Sequence, residues 1–182
     1  MTARVPLHDR TSAPIDSKAV LDQIQGAFGA TPNMFRAVAN SPAALTSMWA
    51  AFGALGHGRI PAVLGEKIAV AVADRNRCEY CLAAHTALGK KAGVSGHDMA
   101  EAQAGRAADA KTAAALGFAL KLVEQRGRIA DAEVQALRTA GFDDGEIVEI
   151  LAHVALNLFT NYVNVAFNVP VDFPGVKLLA AA

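Results

Sequence analysis

Two cysteines, one tryptophan and two tyrosines are all that the 182 residues carry of those types. Cysteine this scarce excludes a disulfide scaffold. A chain of this length needs none, because it can bury roughly 70% of its unfolded surface around one core. Net charge is lacking as well. Seventeen basic residues balance seventeen acidic ones, which leaves no cationic excess with which to hold nucleic acid. No apolar run approaches the ~18 residues that mark a membrane-spanning helix. The most apolar stretch, residues 148–158, is interrupted by Glu149 and His153 and reads as a buried helix. Residues 1–19 mix Arg4, His8, Arg10 and Asp16 with prolines and lack the apolar core of an export signal, so the expected compartment is the cytoplasm. In a reducing compartment, two cysteines three residues apart point to catalysis or metal binding and not to a structural bridge.

Runs of alternating β-branched residues are also missing, which removes the usual signal for strands. What the chain does have is 53% hydrophobic and only 19% charged residues, against a typical charged share of about 25%. Much of the surplus is alanine, a strong helix former. The pattern predicts an all-α fold: an irregular arm over residues 1–15, then one compact helical domain over 16–182. Helices are expected at 17–28, around Met34, Phe35 and Val38, at 42–55, 62–73, 78–92, 95–104, 109–125, 131–139 and 143–167, with an extended tail from Val169. Ser41-Pro42, Ser95, Asp109 and Asp131 are the expected N-terminal signals, and Asp143 with Glu146 forms a capping box. A short echo, Gly65-Glu66-Lys67-Ile68 against Gly145-Glu146-Ile147-Val148, fits an internal helical duplication whose second copy has lost the thiols. A neutral chain this apolar is expected to bury some helix faces between subunits.

Chemistry concentrates between residues 60 and 95. Cys78-Glu79-Tyr80-Cys81 opens a predicted helix and His85 follows one turn later. On a helix, Cys78, Cys81 and His85 fall within one ~60° arc. A thiol reacts as the thiolate. Three features favour ionisation: the free N–H groups of a first helical turn, the base His85, and Arg75 and Arg77 upstream. Cys81, nearer the imidazole, is the expected attacking thiol. Cys78, at the helix end and expected to be more exposed, is the resolving one. Glu66 lies two to three turns back on the preceding helix. An antiparallel pair brings it level with His85, where a carboxylate orients the ring and holds its proton.

The pattern Glu66-x11-Cys78-x2-Cys81-x3-His85 resembles the signature of the AhpD-like alkylhydroperoxidases of the carboxymuconolactone decarboxylase superfamily, and most of all their peroxidase-related branch. Pro32-Asn33-Met34-Phe35, Cys81-Leu82-Ala83-Ala84-His85-Thr86 and the stretch from Asn157 to Asn161 are similar too. The likeness covers roughly residues 30–175. It implies an AhpD-like helical bundle, assembly into homo-oligomers (trimers or hexamers), and a thiol-dependent peroxidase that reduces hydroperoxides through a dithiol/disulfide cycle. In that cycle Cys81 is peroxidatic, Cys78 resolving, Glu66 and His85 a proton relay, and an external dithiol the reductant. Neither a metal nor an organic cofactor is called for. The founding enzymes carry a second histidine between the cysteines, where this chain has Tyr80. The superfamily's decarboxylases lack the cysteine pair, so lactone decarboxylation is not implied.

Two rival readings remain. One is a non-peroxidatic thiol adaptor for a partner peroxidase. The other is a zinc-binding or purely structural helical assembly, in which Glu66, His57 or His97 completes a ligand set with Cys78, Cys81 and His85. His153 is expected as a hydrogen-bonded core or interface residue and Tyr80 as packing.

Overall fold

The computed structural model describes residues 2–180. Among the described residues there are nine helices and no strand: α1 Ile15–Phe28, α2 Asn33–Val38, α3 Pro42–Gly56, α4 Ala62–Arg75, α5 Glu79–Lys91, α6 Gly96–Gln103, α7 Ala110–Glu124, α8 Asp131–Thr139 and α9 Asp144–Ala166. None of them is long and apolar enough to cross a membrane.

Most starts are where the capping residues put them. Ser41, Ser95 and Asp109 each accept an N–H of the first turn, and Asp143 and Glu146 bond reciprocally as a capping box. Two starts differ. Asp131 lies inside the first turn of α8, and Glu133 instead reaches back to the Ala130 N–H at 2.8 Å. α1 begins before Ser17, whose buried hydroxyl donates to the Ala39 carbonyl at 2.9 Å and so ties α1 to the end of α2.

α4 is the hub. It packs against α5, α6, α7 and α9, and residues 68–73 are buried on every side. Alternating Ala with Ile and Val there lets four helices approach one axis closely, since small side chains fill the near contacts. Ile68, Leu82, Leu116 and Ile150 are fully buried in one core, and each such side chain contributes roughly 1.5–3 kcal/mol. α9 continues as one unbroken helix, whereas α4 gives way to a turn and then α5, so the echo between Gly65 and Gly145 covers only the opening of each element.

That turn sets the site. Arg77 adopts the left-handed conformation, with φ of 56°. The Cys78 N–H bonds back to the Ala73 carbonyl at 2.9 Å, and the Arg77 N–H bonds to Asp74. This is a Schellman-type ending in which arginine occupies the place glycine usually takes. The very next residue, Cys78, is already the N-cap of α5. The chain therefore reverses within three residues, and α5 returns antiparallel along α4.

The N-terminal arm is irregular but packed. Val5 and Leu7 lie against the core and the Arg4 N–H bonds to the Phe167 carbonyl at 2.8 Å. The C-terminal tail runs back over α4 and α5. Asp74 Oδ1 accepts the Leu179 N–H at 2.9 Å and the Gln103 amide at 2.8 Å, while Arg77 donates to the Leu179 carbonyl.

Candidate active site

The four residues singled out from the sequence converge where α4, α5 and α9 meet. Glu66 Oε2 lies 2.8 Å from His85 Nδ1. Because the carboxylate only accepts, Nδ1 carries the proton and Nε2 is left free. The pair is mostly covered, with side-chain exposures of 13% for His85 and 20% for Glu66. Burial pushes the imidazole toward its neutral form. The charge of Glu66, its hydrogen bond and the charge of Cys81 outweigh that and raise the His85 pKa.

Cys78 does not sit within the helical turn. Its backbone is extended (φ −93°, ψ 92°), and from the N-cap its Sγ accepts the N–H of Cys81 at 3.3 Å. The expected contrast in exposure is absent, because Cys78 and Cys81 are 1% and 2% exposed. The extended N-cap folds the first sulfur over the helix end, where it shares a cleft with Val169 and Val171 of the tail. Both cysteines are free thiols.

The two sulfurs nevertheless differ sharply. Burial alone pushes the Cys81 thiol up. The hydrogen bond from Cys78, the charge of His85, amide donation from Asn164 and the nearby Asn161 side chain reverse this and bring it down to about 6. Cys78 is driven the other way, well above the ordinary thiol range. Its hydrogen bond to Cys81 comes first, then burial, then the charge on Cys81. One proton is thus shared unequally between the sulfurs, and Cys81 is the one that ionises.

α9 supplies the partners that sequence reasoning passed over. Asn164 Nδ2 is 3.1 Å from Cys81 Sγ, and the Thr160 hydroxyl oxygen is 4.0 Å from it. Asn161, held by Asn76 Nδ2 at 2.9 Å, flanks the same sulfur. Asn157, Thr160, Asn161 and Asn164 recur at i, i+3, i+4 and i+7, a polar stripe on the buried face of an otherwise apolar helix. That spacing was the available signal. Asn157, although on the stripe, turns its amide nitrogen to the His153 carbonyl and does not reach the sulfur.

Cys81 and His85 line a narrow cavity of about 40 Å³ walled by Phe28, Phe35, Phe52, Tyr80 and Phe173. At 10–15 Å³ per water, it admits roughly three water-sized groups. A separate cavity of about 150 Å³ lies behind the relay, lined by Glu66, His85, His153 and Asn157. There His153 departs from expectation. Its Nε2 is buried without a hydrogen-bond partner, and burial outweighs the charges of Glu149 and Glu66 to lower its pKa. Gly65 lets the ring close on α4, since a Cβ at that position would come within 3.3 Å of it. Among the described residues, no group of three or more His, Cys, Asp or Glu side chains is arranged to hold a metal ion. His57 bonds to the Gly53 carbonyl, and His97 lies on exposed α6.

A model of the carboxymuconolactone decarboxylase family matches residues 41–125. A peroxidase-related protein from Silicibacter sp. TM1040 shares 26% identity and the fold (TM-score 0.79, covering 91% of this chain and 88% of that one). An alkylhydroperoxidase AhpD core protein from Ralstonia eutropha JMP134, also peroxidase-related, aligns at TM-score 0.84 with 24% identity over 93% of this chain and 92% of that one. The chain has the AhpD-like all-helical fold, and over residues 41–125 it matches the carboxymuconolactone decarboxylase family. The AhpD-like fold also extends to the debrominase Bmp8, seen in complex with 2,3,4-tribromopyrrole (20% identity, TM-score 0.79, 94% of this chain and 93% of that one). No curated protein sequence matches. In this AhpD-like chain Tyr80 occupies the place of the second histidine. Its ring packs edge-on against Phe173 with centroids 5.7 Å apart, and its hydroxyl accepts the Met34 N–H at 3.2 Å.

Proposed function

We propose that the chain is a thiol-dependent peroxidase in which Cys81 attacks a hydroperoxide, Cys78 resolves the product, and Glu66 and His85 manage the proton. The observation that carries this reading is the Cys81 sulfur itself. It is acidified to about 6, held by the Asn164 amide, and set beside His85 at the end of a narrow apolar cavity. The thiolate attacks the nearer peroxide oxygen, the O–O bond breaks, and the departing alkoxide takes a proton from the His85 imidazolium to leave as an alcohol. Cys78 then attacks the sulfenic sulfur. Its proton leaves with the hydroxide as water, and the disulfide forms. An external dithiol returns the two electrons. The cycle takes place in the cytoplasm and needs neither metal nor organic cofactor. Its scaffold is a homo-oligomer, held through the apolar outer face of α9.

The test is intact-mass spectrometry after brief exposure to stoichiometric cumene hydroperoxide. The parent protein loses two hydrogens, Cys81→Ser does not, and Cys78→Ser halts at a sulfenic acid that dimedone traps. An unoxidised parent at stoichiometric peroxide ends the proposal.

A second reading draws on the aromatic walls and the Bmp8 likeness. The same dithiol would remove bromine reductively from a small bromoaromatic ring, the two thiol electrons leaving as bromide and a C–H bond while the disulfide closes. Bromide release from tribromopyrrole together with inertness to hydroperoxide favours this reading over the first.

A further inference from the structure

The two sulfurs do not share an opening. Cys81 lines the aromatic cavity and Cys78 does not. Cys78 lines a different cleft of about 200 Å³, formed with Arg77, Glu79, Asn164 and Val165 and with Val171 of the tail. Cys81 does not border it. Tyr80 belongs to both walls and partitions the two spaces, anchored by Phe173 and by the Met34 N–H.

Building on the peroxidase reading, we infer that the two halves of the cycle enter from opposite sides. The hydroperoxide meets Cys81 through the aromatic cavity. The thiol reductant attacks the sulfur of Cys78 through the Arg77–Val171 cleft and expels Cys81.

Three features carry the assignment. Displacement at a disulfide is collinear, so the attacker must approach the struck sulfur from the side away from the leaving one. Cys78 borders the cleft and Cys81 does not, so an attacker in the cleft meets Cys78. The leaving sulfur departs faster the better it bears charge, and Cys81 is the sulfur with an amide donor and an imidazole in place. The attacker is itself a thiolate. The cleft offers it the positive end of α5, a 13-residue helix, and the Arg77 guanidinium.

The chemistry balances. One thiolate of the reductant bonds to Cys78 Sγ, the disulfide breaks, and the electron pair settles on Cys81. The reductant's second thiol then attacks its own sulfur in the mixed disulfide and passes its proton to Cys78, which leaves as a thiol.

The experiment closes the disulfide with diamide, so that it does not depend on peroxide. The oxidised protein meets 2-mercaptoethanol with N-ethylmaleimide present, and tandem mass spectrometry of the peptide reads which cysteine carries which label. The expected result is mercaptoethanol on Cys78 and maleimide on Cys81. The reverse pattern overturns the inference. Val171→Trp, which fills the cleft mouth, slows reduction by 2-mercaptoethanol by about tenfold or more, while oxidation by cumene hydroperoxide keeps its rate. Equal slowing of both steps, or of neither, also overturns it. A disulfide that forms with diamide but not with hydroperoxide refutes the peroxidase reading and leaves the route of reduction measurable. No disulfide with either oxidant refutes both.

Discussion

Asn164 on α9 donates its amide to the Cys81 sulfur on α5 across 3.1 Å, while its own Oδ1 is buried without a partner. An orphaned buried carbonyl costs about 1–3 kcal/mol, so this side chain is poorly placed for stability and well placed for the sulfur. Asn164→Leu is expected to raise the thiolate midpoint from about 6 by roughly one unit. Absorbance at 240 nm reads that midpoint. The sign for stability follows. The folded thiol pKa is depressed, so the contribution is present above the unfolded thiol value and lost as pH falls through about 6. Denaturation at several pH values should find Asn164→Leu matching or exceeding the parent near pH 5 and falling behind it toward pH 9. A constant difference would assign Asn164 to packing alone.

The Glu66–His85 pair predicts a pH window. Cys81 ionises near 6, whereas the His85 pKa is raised, so thiolate and imidazolium coexist between the two. Hydroperoxide reduction should therefore be bell-shaped in pH, rising with the thiolate and falling as His85 loses its proton. Glu66→Gln removes the charge that raises the His85 pKa and should move the falling limb to lower pH, leaving the rising limb in place. His85→Ala should slow alkylation of Cys81 near neutrality by about tenfold and converge with the parent above pH ~9, where free thiols ionise unaided. Identical alkylation profiles would separate His85 from Cys81.

Much of this was legible in the chain because it was local. Caps such as Ser41 and Asp143, and glycine stops such as Gly93, fixed helix limits to within a few residues, and the spacing of Glu66, Cys78, Cys81 and His85 carried the pairing of α4 with α5. What stayed hidden was long-range. Nothing in the sequence near Cys81 announces that Asn164 arrives from α9, because that contact depends on how α9 is rotated against α4. The burial of Cys78 likewise depends on long-range packing, and its N-cap geometry depends on Arg77 taking a left-handed conformation that sequence habits assign to glycine. The unsatisfied His153 ring escaped for the same reason: its environment comes from Gly65, Glu66 and Asn157 together.

Tyr80 is expected to act on architecture and not on proton transfer. Its hydroxyl accepts from Met34 at the start of α2, its ring meets Phe173 in the tail, and burial and Asp172 hold its pKa above the usual range. Tyr80→Phe removes one hydrogen bond from a buried N–H and should cost about 1–2 kcal/mol in chemical denaturation, with the Cys81 thiolate midpoint unchanged. A midpoint shift without loss of stability would place the hydroxyl in the relay.

The outer face of α9 carries the last prediction. Val148, Leu151, Tyr162 and Val165 are 67%, 48%, 60% and 50% exposed, and with Ala155 and Phe159 they form a single stripe opposite the buried asparagines. Alongside runs a shallow groove lined by Ala51 and Leu55 of α3. Leaving such a stripe in water forgoes roughly 25 cal/mol per Å² of apolar surface, and a chain with no net charge has no electrostatic repulsion to keep copies apart. A second copy of this chain is the expected cover. Light scattering should give a multiple of the chain mass for the parent and a monomer for the double variant Leu151→Glu, Tyr162→Glu. Because α9 also positions Asn164, the monomer should show a raised Cys81 thiolate midpoint if association holds the helix in place. A monomeric parent would leave the stripe solvent-exposed and remove self-association from the mechanism.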